Sequence, residues 1–405
     1  VNFCREQGIA LVPRGAGTNV SGGTLPSEGS LVINFSRMNK VLEIDMENYV
    51  AIVEPGVVNW DIQEILGKYG YYYPPDPASW KASTIGGNLG ESSGGPKCFK
   101  YGVTRDFIYG LEVVLPTGKV IWVVGRDFSS EPMYDLTRMF VGSEGTLGFI
   151  TKAAIRIQPV TPAKRTMLGI FDTPEDCSQA VADIVAAGII PTTLEMMDNL
   201  IINTTEDYAN AGNPRDAGAL IIIEVDGYPG DLDEQVETIR EVCKGANAKE
   251  FRVAKSAAEV DQIWLARRVA FGSVARVKPN YGSNDITVPR SEFPKAIAGI
   301  EKVKREMGAI IGIVAHAGDG NLHPLILYDQ RNKEEVDLLH EAEMELCNMA
   351  IDLGGTISGE HGIGILKKSL LLKEFGPQTM EVFKKVKRAF DPQNQFNPGK
   401  LIELD

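Results

Sequence analysis

All the imidazole in this 405-residue chain comes from four histidines, His316, His323, His340 and His361. Ile311-Gly312-Ile313-Val314-Ala315 reads as an apolar strand ending at His316. Ala317-Gly318-Asp319-Gly320-Asn321 is a turn, and Leu322-His323-Pro324-Leu325-Ile326 opens the return strand. That geometry brings His316 and His323 to the same end of adjacent strands, within reach of one cation. Ser358-Gly359-Glu360-His361-Gly362-Ile363-Gly364 adds a carboxylate and another imidazole on a flexible loop. Two imidazoles and one carboxylate leave coordination positions open, the ligand count of a catalytic rather than a structural metal site. A lone histidine in a turn is ordinarily a surface or hydrogen-bonding residue. Two sharing one turn, with glycines leaving space around both, favour a metal. His340 sits in the polar stretch of an amphipathic helix and reads as a solvated side chain.

Two other features could do chemistry. Trp264-Leu265-Ala266-Arg267-Arg268 offers guanidinium groups, which pair bidentately with carboxylates; composition alone would also fit a helix surface. Pro13-Arg14-Gly15-Ala16-Gly17-Thr18-Asn19 directly follows the strand candidate Ile9-Ala10-Leu11-Val12. Its glycines permit positive φ and let successive N–H groups converge on an anion such as a phosphate. It is not a Walker A loop, because no Gly-Lys-Ser/Thr follows. Nor is it a Rossmann fingerprint, since Val20 and a turn-like stretch come next. Further glycine-dense stretches cover residues 86–95 and 142–148.

These groups must be positioned by a protein of at least two domains, given 405 residues. With 43% apolar and 23% charged residues the composition is that of a folded globular chain. Its 41 Lys+Arg against 54 Asp+Glu leave a net charge of −13, which disfavours nucleic-acid binding in the absence of a basic patch. No apolar run approaches the ~20 residues of a membrane span. Five cysteines, widely spaced, argue against a disulfide framework and for a reducing compartment. Strand candidates at residues 31–35, 51–54, 111–115 and 120–124 lie among the glycine loops. From residue 160 to 385 strands such as 220–225 alternate with amphipathic helices at 174–187 and 334–353. The tail from residue 390 is rich in Pro and Asn and has no periodicity.

The stretch from Val12 to Gly23 resembles the pyrophosphate loop of the FAD-binding domain of the vanillyl-alcohol oxidase superfamily. Pro74-Pro75-Asp76-Pro77, Ser83-Thr84-Ile85-Gly86-Gly87-Asn88, Tyr101-Gly102 and Gly142-Ser143-Glu144-Gly145-Thr146-Leu147-Gly148-Phe149-Ile150 recur in that family's order. The similarity spans essentially the whole chain and is closest to the FAD-linked D-2-hydroxyacid dehydrogenases, including the flavin subunit of bacterial glycolate oxidase and D-lactate dehydrogenases. It implies an α+β protein: a two-lobed FAD-binding domain over residues 1–158, an α/β substrate (cap) domain with an antiparallel sheet over 159–389, and a C-terminal segment, 390–405, returning to the flavin. It also implies that residues 13–19 hold the diphosphate. Asp76, Ser83, Thr84, Glu91-Ser92-Ser93-Gly94 and the seven residues from Glu144 to Ile150 would line the rest of FAD, with Asn397 coming from the tail. No histidine precedes residue 316, so the FAD would be noncovalent.

By the same resemblance His316, His323 and Glu360 are ligands of a divalent metal (zinc, iron or manganese), His361 is the base and Arg267 holds the substrate carboxylate. An imidazole, ordinarily of pKa ~6.5, can take a proton near neutrality. Asp319 and Asn321 suit supporting positions behind the ligands. Asn284-Asp285-Ile286-Thr287-Val288-Pro289 resembles a family strand near the site; where some members carry a lysine two positions before the aspartate, this chain has Ser283. The implied reaction is oxidation of D-lactate or glycolate to the 2-oxo acid. The electrons pass to an electron-transfer flavoprotein, quinone, cytochrome or iron–sulfur subunit, because no NAD fingerprint is present. The expected location is cytoplasmic, any membrane association being made through a partner. Rival readings are a flavin-dependent transferase resembling alkylglycerone-phosphate synthase and a non-catalytic flavin subunit; the His316, His323 and Glu360-His361 motifs disfavour both. The family pattern has a further strand and most of a helix before the position of Val1, so the chain begins as a fragment or processed form would.

Overall fold

A computed structural model describes residues 1–123 and 134–404, so the last residue of the 120–124 strand candidate lies outside the described residues. The chain forms two compact units, Val1–Gly95 with Gly102–Val160 and Glu360–Asp405, and Pro96–Tyr101 with Thr161–Gly359. The first boundary falls two residues from the expected 158/159. The return falls at Glu360, well before the expected residue 390.

The early return has a physical cause within the first unit. Lys387, on the helix Lys368–Phe390, is buried, and its ammonium donates to Thr146 O at 2.7 Å, Phe396 O at 2.8 Å and Asp391 Oδ2 at 2.5 Å. A buried ammonium with three acceptors has its donors satisfied, which is the condition for keeping it out of water. The tail then joins the parallel strand pair Leu11–Arg14 and Leu31–Asn34. Leu11 N donates to Gln395 O at 2.8 Å and Asn397 N to Leu11 O at 2.7 Å. Phe396 stacks on Phe149 with ring centroids 4.2 Å apart, closing a small core with Cys4 and Leu11. Among the described residues the main sheet of this unit has five strands, in the order Val41–Asp45, Val50–Val53, Phe149–Arg156, Ile108–Val114, Val120–Val123. The Pro116-Thr117-Gly118 turn joins the last two, as its turn residues predict.

The second unit is built on an eight-stranded antiparallel sheet among the described residues. Its path runs Glu250–Val253, Ala163–Phe171, Ala219–Gly227, Thr193–Asp198, Ile311–His316, Asn321–Tyr328, Asn280–Ser283, with Ile286–Thr287 also pairing to Asn321–Tyr328. Thr193–Asp198 and Ile311–His316 are buried at every position, the pattern of strands covered on both faces. Period-two alternation puts Met197, Val314, Leu325 and Leu327 on one face. There they form a core with Ile201 and Ile202 of the helix Asn199–Ala209 and Ala266 and Ala270 of the helix Ala257–Ser273. Glu195, His316 and His323 share that alternation, so they stand on the same face, at the edge of this core.

Asp226, at the end of Ala219–Gly227, ties the short segment Pro96–Tyr101 to this sheet. Its carboxylate accepts from Lys100, from Tyr101 Oη at 2.6 Å, from Thr192 Oγ1 at 2.5 Å and from Thr161 Oγ1 at 3.1 Å. Burial alone would raise this carboxyl, but the hydrogen bonds from Lys100, Thr192 and Tyr101 outweigh it and hold it below the ordinary 3.8. A depressed carboxyl adds stability that is fully present above the unfolded value and disappears as pH falls through the folded one. Asp226→Asn is therefore expected to cost about 2 kcal/mol at pH 7. Thermal melts of wild type and variant should converge below pH 3.8, the ordinary value for Asp226; an equal gap at both pH values would refute this account.

Candidate active site

The glycine motifs, scattered over the first unit's sequence, meet in space. A Cβ on Gly15 would strike Thr84 Oγ1, and one on Gly145, at φ +68°, would strike the Pro13 ring. Thr84 caps the helix Ile85–Glu91 by accepting from Gly87 N at 3.3 Å. Asn397 Nδ2 donates to Gly23 O at 3.0 Å and Glu144 O at 2.7 Å, fastening the tail to two of the loops. Gly95 packs where any Cβ would meet the Asp76 carbonyl. Ser83 Oγ, Asn88 Nδ2, Ser92 Oγ and Asn397 Oδ1 are buried and find no hydrogen-bond partner among the described residues. Buried polar groups are normally paired, so a cluster of orphans among glycine-lined loops fits a polar ligand with many donors and acceptors. FAD is such a ligand. Of the residues expected to line it, Phe149 packs against Phe396 in the core, and Thr146 Oγ1 donates to Ser143 O at 2.7 Å.

Glu144 departs most from expectation. It takes φ +51°, and its buried carboxylate turns to the loop carrying His361, accepting from Ile363 N at 2.7 Å and Gly364 N at 2.8 Å. Burial pushes its carboxyl above the ordinary value, opposed by those two N–H groups and by Lys367 and Lys400. A Cβ on Gly362, at φ +82°, would strike the Glu91 carboxylate and crowd that of Glu144. Glu91 in turn accepts from Asn19 Nδ2 and Ser21 Oγ, each at 3.3 Å. The backbone two residues beyond His361 is thus locked to the glycine-rich loops of the same unit, a constraint invisible in either motif alone.

In the second unit the His316 and His323 rings lie 5.1 Å apart, centroid to centroid, at 87°. His323 pairs in register with Val314, two residues from His316, so the rings are diagonal neighbours on one face. Both are buried. His316 Nδ1 lies 2.5 Å from Glu195 Oε1, and His323 Nδ1 lies 3.7 Å from Asp285 Oδ1. Carboxylates behind imidazoles are what metal-binding histidines use to fix ring orientation, so this donor set fits a divalent ion. Asn321 donates to Asp285 Oδ1 at 2.8 Å and Thr287 Oγ1 at 2.9 Å. Ser358 Oγ donates to Asp285 Oδ2 at 2.8 Å and Gly359 N to Asp285 O at 3.3 Å. Glu360 is the next residue in the chain.

Arg267 is buried, only 6% exposed, not on a helix surface. Its Nε donates to Glu195 Oε2 at 2.6 Å and its guanidinium lies over the Phe271 ring at 5.6 Å. Among the described residues its terminal nitrogens make no hydrogen bond. Burial alone would raise the Glu195 carboxyl, but the His316 imidazole and the Arg267 guanidinium beside it prevail and lower it. Glu195 itself escaped the sequence reading: nothing near residue 195 signals chemistry, and only the pairing of Glu195 with His316 across neighbouring strands reveals it. His340 is exposed on the helix Lys333–Asp352, as expected, 3.5 Å from Glu343.

Residues 1–124 match the FAD binding domain family, and residues 161–401 match the C-terminal domain of FAD linked oxidases. The chain is 44% identical over 405 residues to the glycolate oxidase subunit GlcD of Bacillus subtilis (strain 168), spanning 100% of this chain and 86% of that protein. It is 31% identical over 401 residues to the mitochondrial D-lactate dehydrogenase (cytochrome) of Arabidopsis thaliana, spanning 98% and 70%. The structure of p-cresol methylhydroxylase with substrate bound superposes with a TM-score of 0.80 at 18% identity, covering 98% of this chain and 85% of that one, a likeness of fold. The expected vanillyl-alcohol oxidase architecture is therefore the one the chain adopts. Among the described residues no helix is long and apolar enough to cross a membrane. Matched in both halves and similar along its whole length to GlcD, the chain belongs to the FAD-linked oxidases and is a flavin-dependent oxidoreductase.

Proposed function

We propose that this protein oxidises a D-2-hydroxy acid, glycolate or D-lactate foremost, to the 2-oxo acid with the help of FAD and a divalent metal. The observation that carries this reading is the buried, half-satisfied Arg267 guanidinium joined through Glu195 to His316 and its neighbour His323. A cation with unused donors suits a substrate carboxylate, and paired imidazoles suit a metal that would hold the hydroxyl. His316, His323 and Glu360 are the ligands, Arg267 takes the carboxylate, and His361 is the base. His361 accepts the hydroxyl proton while the C2 hydrogen leaves with its electron pair and the carbonyl forms. Bound FAD would supply the two-electron acceptor, and a divalent ion would polarise the hydroxyl.

The names of the relatives support this substrate class, one being a glycolate oxidase subunit and another a D-lactate dehydrogenase. They also support a further subunit or a cytochrome as the acceptor, and a quinone or an electron-transfer flavoprotein would serve the same chemistry. The test is anaerobic mixing of the FAD-loaded protein with glycolate, D-lactate, L-lactate and D-2-hydroxyglutarate, with and without a divalent-metal chelator, following flavin bleaching. Bleaching by glycolate or D-lactate that the chelator abolishes is expected. A metal-replete sample that bleaches with none of the four would overturn the reading.

A further inference from the structure

Glu195 is fully buried on the strand Thr193–Asp198, and its two oxygens are divided between two different jobs. Oε1 faces His316 Nδ1 at 2.5 Å, and Oε2 receives Arg267 Nε at 2.6 Å. The strand pairing sets the first contact, with Glu195 opposite His316; the helix Ala257–Ser273 supplies the second. We infer that Glu195 is a positioning residue that fixes the imidazole of His316 and the guanidinium of Arg267 with a single carboxylate. The inference rests on the metal and carboxylate roles proposed above for those two side chains.

Each half has a chemical consequence. An ionised carboxylate can only accept, so His316 must carry its proton on Nδ1, and the lone pair is presented on Nε2. Arg267 spends Nε on Glu195, which sets the plane of the guanidinium and directs the terminal pair of nitrogens to another acceptor. One buried negative charge thereby orients two side chains at once. A glutamine cannot replace it: its amide has a single acceptor oxygen and turns a donor toward the other partner. The alternative is that Glu195 merely neutralises Arg267 to keep the helix docked, in which case its loss would lower stability and leave the imidazole unaffected.

The test uses the FAD-loaded protein and the variants Glu195→Gln and Glu195→Asp. The second keeps the charge but is one methylene too short to reach both partners, and it serves where the first folds poorly. With only four histidines in the chain, ¹⁵N-resolved imidazole spectra can be assigned residue by residue. In metal-free wild type, His316 should be the Nδ1–H tautomer; in Glu195→Gln it should lose that preference. Zinc affinity, by competition with a chromophoric chelator, should fall roughly 10- to 100-fold. The dissociation constant of glycolate in metal-free protein, read from the flavin absorption shift, should rise at least fivefold, and Glu195→Asp should fall between wild type and Glu195→Gln on all readouts. An unchanged His316 tautomer, with zinc and glycolate affinities within twofold of wild type, would overturn the inference. If wild type and His316→Gln hold zinc equally, the metal reading fails instead, and the tautomer and glycolate readouts still decide the role of Glu195.

Discussion

Replacing His361 by Ala is expected to lower anaerobic flavin reduction by the preferred hydroxy acid by roughly 10²- to 10⁴-fold, the usual worth of a positioned general base. FAD content should not change. The backbone of the loop is held through Ile363 N and Gly364 N on Glu144. Removing the ring leaves those two bonds in place while deleting the proposed proton acceptor. The comparison that matters is the single-turnover reduction rate at matched FAD and metal content. A variant that bleaches within threefold of wild type would remove His361 from the chemistry.

The second large effect is expected at Gly145. This residue sits at φ +68°, a conformation that costs an L residue roughly 1–2 kcal/mol, and its missing Cβ makes room for the Pro13 ring. Gly145→Val adds a β-branched side chain to both problems, so the loop must move away from residues 13–15. Since about 1.4 kcal/mol is a factor of ten in affinity, the FAD dissociation constant of the variant should rise at least tenfold. Gly67→Ala is the matched control, because nothing lies within 4 Å of a Cβ there. Titration of the FAD-stripped protein with FAD, followed by flavin absorbance, gives the answer directly; an unchanged dissociation constant in Gly145→Val would mean that residues 13 and 145 do not shape the cradle.

The sequence was readable where a function depends on a few consecutive residues. The strand–turn–strand around His316 and His323 places both rings on one face because side chains alternate with a period of two, and the register of Ile311–His316 with Asn321–Tyr328 follows from that short turn. The positive-φ glycines of the flavin loops were recognisable for a similar reason: a loop that approaches an anion closely excludes side chains locally. Helices at Pro174–Ala186 and Lys333–Asp352 lie within a residue of where their caps and apolar spacing put them. The family resemblance, carried by several such local motifs in order, extended these readings to fold and cofactor.

What lay beyond the sequence is pairing between distant segments. Glu195 meets His316 only because Thr193–Asp198 runs between Ala219–Gly227 and Ile311–His316 in the sheet, and strand order is set by which faces can be buried together. Glu144 stood among flavin-loop residues, yet its side chain serves the His361 loop, since a left-handed backbone turn points it there. Lys387 gave no sign that it binds Thr146 and Phe396, and for that reason the chain returns to the first unit at Glu360 and not at the loss of periodicity near residue 390. Arg267 could be picked out as a carboxylate partner, but its burial and its bond to Glu195 came from packing. The sequence alone determined which side chains can do chemistry, because residue type and local backbone freedom are local properties. The tertiary structure alone decided which of them act together, because a buried charge must find its partner wherever folding brings one.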